Sequence, residues 1–413
     1  MESWTEPARD LPVRGRPDVL VVGGGCAGVA AAVAAARRGS DTWLIERSGI
    51  VGGLATVGLI NLLLTMDDGA GTQVVAGLCQ EVVERLTGRD RAVFPPATEW
   101  DSEDPALVAR WRELGLVWGA PESVRYSVAF DPEAFVDVCY ELLEDAGVRL
   151  QLHTSFSTAH LEGSKVAAVA LESKRGREVL IPKVVIDATG DADVAAACGA
   201  QCEQVPTPPH LWFRVGGVRA DASLGPLAFR TLDRGRLLVP WGPAPERVDA
   251  TDPDDMTRAE LGCRRAARAL FDTLRRETEG WSEAWIDDYA RMLGITESRR
   301  LVGDHVLAKE DADTPLADAV ARTGHWTRRR VWFDIPYRSL KTAAVDNLLV
   351  AGRCISTTRY VHQATKEIPA AMATGQAAGT AAALAARTSV GVHAVDVAEL
   401  RRDLAAAGAI VGT

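Results

Sequence analysis

DVLVVGGGCAGVAAAVAAARRGSDTWLIE, residues Asp18 to Glu46, is the stretch whose reading decides the fold. Asp18–Val22 is a short apolar run of β-branched type that ends in three glycines. Ala27–Arg38 is alanine-rich, which predicts a helix, and Gly39 closes it. Thr42–Ile45 predicts a second strand. A strand, a helix and a strand in so short a span return the chain in its starting direction and begin a parallel sheet.

The glycines fall as Gly23-x-Gly25-x-x-Gly28, between the predicted strand and the predicted helix. Glu46 closes the second strand, 18 residues after Gly28. This is the context the dinucleotide fingerprint requires. Gly23 permits the tight turn, Gly25 lets a pyrophosphate approach the backbone, and Gly28 allows the helix to pack closely on the strand. The helix N-terminus then offers free N–H groups and a positive dipole end to the phosphates, and Glu46 can accept from ribose hydroxyls. A glycine-rich turn without a ligand is the competing reading, and the acid in register speaks against it.

Working outward, a helix is expected at Gln80–Leu86 and another at Pro132–Ala146, the latter capped by Asp131. Residues 88–126 read as an irregular excursion or lid, with Pro95, Pro96, Pro105 and Pro121 among Trp100, Trp111 and Trp118. Val148–Leu152, Val166–Leu171 and Val179–Asp187 read as strands, the last running into Ala-Thr-Gly-Asp191. Past Ala200 the composition changes, with Pro206, Pro208, Pro209 and an amphipathic helix around Asp255–Glu277. Asn347–Ala351 returns to a buried strand, and Ile368–Ala386 reads as a helix begun by Pro369. The expected fold is α/β: a Rossmann-type domain with a parallel sheet from 1–200 and 345–413, and an inserted α+β substrate or cap domain at 201–344.

The chain has 413 residues and a net charge of −10, which disfavours nucleic acid and anionic lipid as partners. Of its 46 cationic residues only 6 are lysine, so arginine abundance by itself carries no argument. The first 17 residues lack an apolar core after a basic start, and the Ala370–Ala386 stretch is interrupted by Thr374, Gln376 and Thr380. Seven scattered cysteines never form Cys-x-x-Cys. A cytoplasmic protein with free thiols, no metal site and no membrane contact is expected. A catalytic cysteine is not, since Cys198-x-x-x-Cys202 lacks the redox spacing.

Gly52-Gly53 after Glu46, Ala188-Thr-Gly-Asp191, and Gly352-Arg353 before a proline-started helix resemble, in that order, flavoproteins of the glutathione-reductase structural class. Glu297-Ser-Arg-Arg300, Ile335-Pro-Tyr-Arg-Ser-Leu340, Asn347–Ser356 and Pro369–Gly379 narrow the resemblance to the FAD-dependent oxidoreductase family, related to fumarate-reductase-like flavoproteins. The resemblance spans about residues 18–386 and implies non-covalent FAD. By position, it implies that Glu46 holds the adenosine ribose, and that Gly52, Gly53 and Thr56 lie by the pyrophosphate and ribityl chain. Asp191 would lie near the adenine half and Arg353 near the flavin half. Gly23, Gly25, Cys26, Ala27, Gly28, Arg47, Leu54, Gly352, Ile368 and Ala371 complete the expected cofactor contacts. The helix from Pro369 would aim its positive end at the flavin's pyrimidine edge. The chain departs from the family pattern at Lys366, where arginine is usual, and at Ala371, where cysteine is frequent. Lysine keeps the charge but loses the planar fork.

Four residues are the expected catalytic candidates. His362 could exchange a proton near neutral pH, against a capping or supporting role. Lys366 could bind a substrate carboxylate or the flavin, against a solvated first-turn lysine. Arg299 and Arg300 could clamp an anionic substrate, against an ion pair with Glu297. The leading expectation is a dehydrogenase or oxidase taking hydride from a small-molecule metabolite, in a biosynthetic pathway. A reductase that saturates a C=C bond is the enzymatic alternative, and a protein whose FAD is structural is the non-enzymatic one. Small-molecule substrate is the expected partner, and a homodimer stays open.

Overall fold

The computed structural model describes residues 3–225, 227–233, 235–244 and 246–412. At its centre, five parallel strands run in the order Leu348–Val350, Val184–Asp187, Val19–Val22, Thr42–Ile45, Arg149–Gln151. The first four are buried throughout, as a parallel sheet covered on both faces requires. Val22 lies level with Ile45 and with Asp187, and Asp187 with Val350. Gly23, Glu46, Ala188 and Ala351 therefore leave the sheet at one edge, the carboxyl edge where ligands of open α/β sheets bind.

Cys26–Ala36 and Ile368–Thr388 cross in close contact because both are built of alanine and glycine. A Cβ on Gly375 would fall on the Ala27 carbonyl oxygen, and one on Gly379 on that of Ala31. The crossing fixes the N-terminus of the long helix beside the glycine turn. Gly352, with φ +79°, leaves no room for a side chain either: its Cβ would stand 2.7 Å from that of Ala27.

A second buried core gathers Leu211–Ile295 with Leu59, Leu62, Leu64 and the 108–129 segment. Its frame is an antiparallel sheet of Phe229–Arg230, Leu237–Val239, Phe213–Gly216 and Trp285–Tyr289, accompanied by the helix Pro253–Glu277. That helix starts at Pro253 because Asp252 caps it, and buries Ala259, Cys263, Ala267, Phe271 and Leu274 along one stripe. The α/β architecture with a Rossmann-type parallel sheet and an added α+β unit is thus present. The hairpin Ala319–Gly324 with Trp332–Pro336 nonetheless sends Val320, Phe333 and Ile335 into the first core.

Three local readings change. Val179–Asp187 is two strands, Gly176–Leu180 and Val184–Asp187, in different sheets. Pro182 lies between them and cannot donate to a ladder. Residues 88–126 are not irregular throughout: Asp104 caps a helix at Pro105–Arg112 that buries Val108 and Trp111. Ser155–Glu162 is a strand, hidden in the sequence by its half-exposed polar residues. No described helix is long and apolar enough to cross a membrane.

Candidate functional site

The glycine turn has one crowded side and one open side. A Cβ on Gly23, which has φ +102°, would stand 2.6 Å from the Ala188 carbonyl oxygen, and one on Gly28 would fall on the Gly23 carbonyl oxygen. A Cβ on Gly25 would meet nothing nearer than the Gly53 Cα at 4.0 Å. Gly25 ends the turn helix without a side-chain cap, so the helix N-terminus keeps free donors beside that open space. The Gly52-Gly53 loop lies across the turn, its Gly52 N–H donating to the Gly24 carbonyl at 2.8 Å.

Glu46 is anchored where the fingerprint expects it. One carboxylate oxygen accepts from the Gly24 N–H at 2.6 Å, and the other accepts from the Ser48 N–H and hydroxyl at 2.8 Å each. A carboxylate offers about four acceptor sites, so capacity for a ribose hydroxyl remains. Cys26 donates to the Gly52 carbonyl at 3.3 Å, and burial pushes its thiol up to about 12, so it packs and pins the loop. Thr56 is buried and donates to the carbonyls of Val51 at 2.9 Å and Gly53 at 3.0 Å. Its hydroxyl thereby fixes the shape of the loop. Leu54 is half-buried in the same turn, and Arg47, which follows Glu46, is exposed.

Asp187 builds the next wall. One of its oxygens accepts from the Thr189 N–H and hydroxyl, and the other from the Val194 and Ala195 N–H groups. This fixes the 188–193 loop and presents Asp191 to Arg353, whose Nη2 lies 2.6 Å from Asp191 Oδ1. The two thus stand together at one point of the carboxyl edge, where the resemblance set Asp191 by the adenine half and Arg353 by the flavin half. Arg353 also donates to the Gly190 carbonyl at 2.7 Å and to that of Ile295.

Arg299 and Arg300 occupy the strand Arg299–Leu301 and are bound by the protein itself. Arg299 donates to the Asp191 carbonyl at 2.9 Å and pairs with Asp193. Burial, then Asp187 and Asp191, raises that Asp193 carboxyl to about 6. Arg300 donates to Glu203 at 2.7 Å and to the Thr357 carbonyl at 3.2 Å. Neither pairs with Glu297, which accepts from Gln363 at 2.9 Å and stands 3.4 Å from Arg359. The alternative of an ion pair with Glu297 is not formed: Arg299 pairs with Asp193 and Arg300 with Glu203, while Arg300 Nη1 is buried without a partner among the described residues.

His362 is sealed, with Nε2 2.8 Å from the Thr296 carbonyl and Nδ1 without a partner among the described residues. Burial, reinforced by Arg300, holds it well below the usual histidine range. Four residues later Lys366 pairs with Glu367 at 3.1 Å. Glu367 is the N-cap of the long helix but makes no side-chain cap bond, and burial raises its carboxyl while Lys366 opposes the shift. Ile368 and Ala371 follow in the buried first turn.

Two residues missed in the sequence join this group, His210 and His325. Burial holds each down to about 4, reinforced at His210 by the Lys366 charge and at His325 by Arg328, Arg125 and then Lys366. His325 accepts at Nδ1 from the Thr327 N–H at 3.3 Å. Among the described residues, neither the His210 ring nor the His325 Nε2 has a hydrogen-bond partner. No local pattern marks them, since His210 follows Pro208-Pro209 and His325 sits in a turn.

The FAD dependent oxidoreductase family model matches residues 18–242 and 224–404. No curated protein matches the chain. Among solved structures, p-nitrophenol 4-monooxygenase PnpA from Pseudomonas putida DLL-E4 is similar with a TM-score of 0.54 and 14% identity, over 91% of this chain and 82% of that one. BexE, studied for oxidation during BE-7585A biosynthesis, gives a TM-score of 0.50 and 14% identity, over 90% of this chain and 63% of that one. A geranylgeranyl bacteriochlorophyll reductase-like protein from Thermoplasma acidophilum gives 0.49 and 15%, over 91% and 80%. Likeness at such identity shows the fold alone. The cradle fits the cofactor of the matching family: an open Gly25, uncapped helix ends at Gly25 and Glu367, and spare acceptor capacity on Glu46.

Proposed function

The chain belongs to the FAD-dependent oxidoreductase family, and from that premise we propose that it oxidises a small-molecule metabolite, as a dehydrogenase or oxidase in a biosynthetic pathway. Bound FAD supplies the redox chemistry by taking hydride from the substrate. Substrate sits between the 201–344 segment and the N-terminus of Ile368–Thr388, an interface of the kind where pockets concentrate.

What supports this reading is the Lys366–Glu367 pair, a cation and a largely buried carboxylate 3.1 Å apart where the helix Ile368–Thr388 begins without a side-chain cap; the Lys366 charge also contributes to the lowering of His210 and His325. In this reading Lys366 holds a polar or anionic group of the substrate. His210 and His325 stay neutral through the physiological range, so a free ring nitrogen can accept a hydrogen bond from the substrate, while at about 4 each is a weak base. His362 supports the segment behind them, while Arg299, Arg300 and Arg353 brace the walls. Perturbed ionisable groups in one place favour a functional site over a purely structural one.

The experiment is an anaerobic screen of metabolites for bleaching of the bound flavin, followed by alanine variants at Lys366, His210 and His325. Loss of the accepting histidine should slow flavin reduction by about tenfold, with FAD still bound. Wild-type rates in all three variants would place the site elsewhere.

A further inference from the structure

A pocket of about 750 Å³ opens between the helix Val397–Ala406 and the turn Tyr337–Leu340. The helix contributes Val397, Ala398, Arg401 and Arg402, spaced i, i+1, i+4 and i+5, so a single helical face lines the pocket. The facing wall holds Tyr337, Arg338 and Lys341, with Ala317 and Asp318 from the chain just before the strand Ala319–Gly324. The helix begins here because Asp396 caps it, accepting from the Ala398 N–H at 2.8 Å and the Glu399 N–H at 3.2 Å. Tyr337 ties the two walls together. Its hydroxyl donates to the Val392 carbonyl at 2.8 Å, and the Val392 N–H donates to the Asp346 carbonyl at 2.8 Å. Asp346 lies before the amino end of the strand Leu348–Val350, whereas Gly352 follows its carboxyl end. The pocket is therefore a separate place from the cofactor cradle.

The charge of this pocket runs against that of the chain. Four cationic side chains and His393 line it against the single carboxylate of Asp318, in a protein whose net charge is −10. Two of the cations are matched: Arg338 Nε donates to Asp318 at 2.9 Å, and Lys341 pairs with Asp304. The other two have no carboxylate among the described residues. Arg401 donates to the carbonyls of Ala319 at 2.5 Å and Gly412 at 2.9 Å, which fix the guanidinium and leave its charge in place. Arg402 is exposed and has no hydrogen-bond partner among the described residues. Lys341 Nζ stands 3.2 Å from His393 Nδ1. Accepting there leaves the imidazole proton on Nε2, a further donor. Around these groups the lining is apolar, from Ala317, Val397 and Ala398.

We propose that this pocket binds a small organic dianion, a dicarboxylate or a phosphate monoester with a compact hydrocarbon body. The two unmatched guanidinium charges set the charge of the ligand, and Arg402 offers its whole fork to one anionic end, carboxylate or phosphate alike. The hydrocarbon body packs on Val397 and Ala398. A volume of about 750 Å³ falls within the range of small-molecule sites and is far more than a bare ion fills. The proposal stands apart from the oxidoreductase reading, since it uses none of the residues placed at the flavin.

Calorimetry on the FAD-loaded protein tests it with adipate, phenyl phosphate, the neutral adipamide and inorganic phosphate. Adipate or phenyl phosphate should bind saturably, one per chain, and whichever binds more tightly names the source of the charge. Adipamide and inorganic phosphate should each bind about tenfold more weakly or worse, the first for want of charge and the second for want of an apolar body. Arg402→Met, at an exposed side chain without a partner, should cost about tenfold in affinity for the tighter probe. Ala398→Phe, which fills the pocket from an exposed position, should cost at least as much. FAD content and the unfolding midpoint confirm that both variants are folded, and should Ala398→Phe not fold, Arg402→Met decides alone. Lys366→Met should bind the probe like wild type, which separates this pocket from the flavin site. No saturable binding of either organic dianion at roughly millimolar concentration, undiminished affinity in Arg402→Met, or equal binding of adipamide or inorganic phosphate overturns the proposal. Affinity lost in Lys366→Met overturns it as well, by moving the ligand to the flavin.

Discussion

Arg353 Nη2 stands 2.6 Å from Asp191 Oδ1, joining the turn after one central strand to the turn after its neighbour. Ser298 donates to the same carboxylate oxygen, and Arg353 reaches the Gly190 and Ile295 carbonyls as well. A single guanidinium therefore holds three segments along the carboxyl edge of the sheet. Arg353→Met would strand a largely buried carboxylate and two carbonyls. The expected cost is about 3 kcal/mol of stability, with FAD affinity about tenfold lower or worse. Denaturant unfolding and FAD titration measure the two effects, and wild-type values in both would show that the pair holds nothing.

Gly25 and Gly28 should fail in different ways. A side chain at Gly25 enters open space beside Gly53, whereas one at Gly28 strikes the Gly23 carbonyl. Gly25→Leu should fold with near-native stability and purify colourless, its side chain filling the phosphate approach. Gly28→Ala should lower the unfolding midpoint even with FAD removed, because the helix must lift off the strand. A yellow, fully loaded Gly25→Leu protein would sink the assignment of the turn.

That contrast also marks what the sequence can disclose. The turn is written in consecutive residues, so Gly23, Gly25, Gly28, Glu46 and both strands beside them were readable, and the helix Cys26–Ala36 lies within two residues of its expected bounds at either end. The long helix begins at Ile368 as expected because Pro369 fixes its first turn. The cluster at Lys366 was half legible. Lys366 and His362 lie on the segment entering that helix, but His210 and His325 come from distant stretches with no local mark. The partners of Arg299 and Arg300 were illegible for the same reason: nothing nearby reveals that Asp193 and Glu203 pair with them.

The flavin should be held without a covalent bond. Residues 47–60 contain no His, Cys or Tyr to attach it. Cys26, the thiol nearest the turn, is engaged with Gly52 and raised to about 12, so it is a poor nucleophile. Acid precipitation should release the yellow colour into the supernatant, and colour retained in the washed pellet would refute the expectation.

His325 should make stability depend on pH. Its ring is buried and titrates at about 4 in the fold, against 6.5 ordinarily. Between those values the unfolded chain binds a proton that the folded one does not, so His325 makes stability fall as pH drops from 6.5 towards 4. One proton corresponds to about 1.4 kcal/mol per pH unit, or about 3 kcal/mol across the window. His325→Gln should flatten the curve of unfolding free energy by that slope over the window, while leaving the neutral side parallel to wild type. Curves that stay parallel down to low pH would show that the histidine is not held neutral.

Electrons should not enter through a dedicated nicotinamide domain. Pyridine-nucleotide reductases of the structural class this chain resembles carry a second glycine fingerprint at mid-chain, and here the only comparable glycines are Gly216 and Gly217. Gly216 ends the strand Phe213–Gly216 and Gly217 follows it; the strand pairs antiparallel with both Leu237–Val239 and Trp285–Tyr289. A dinucleotide turn needs a parallel strand leading into a helix, and neither condition is met. The glycines serve packing instead: a Cβ on Gly216 would stand 2.8 Å from the Trp285 ring, and one on Gly217 would fall on the same ring. NADH or NADPH mixed anaerobically with the oxidised protein should therefore bleach the flavin slowly and without saturation. A metabolite found by screening should bleach it rapidly and with saturation. Rapid, saturable bleaching by either nucleotide would reverse the assignment and make this chain a reductase that draws its electrons from nicotinamide.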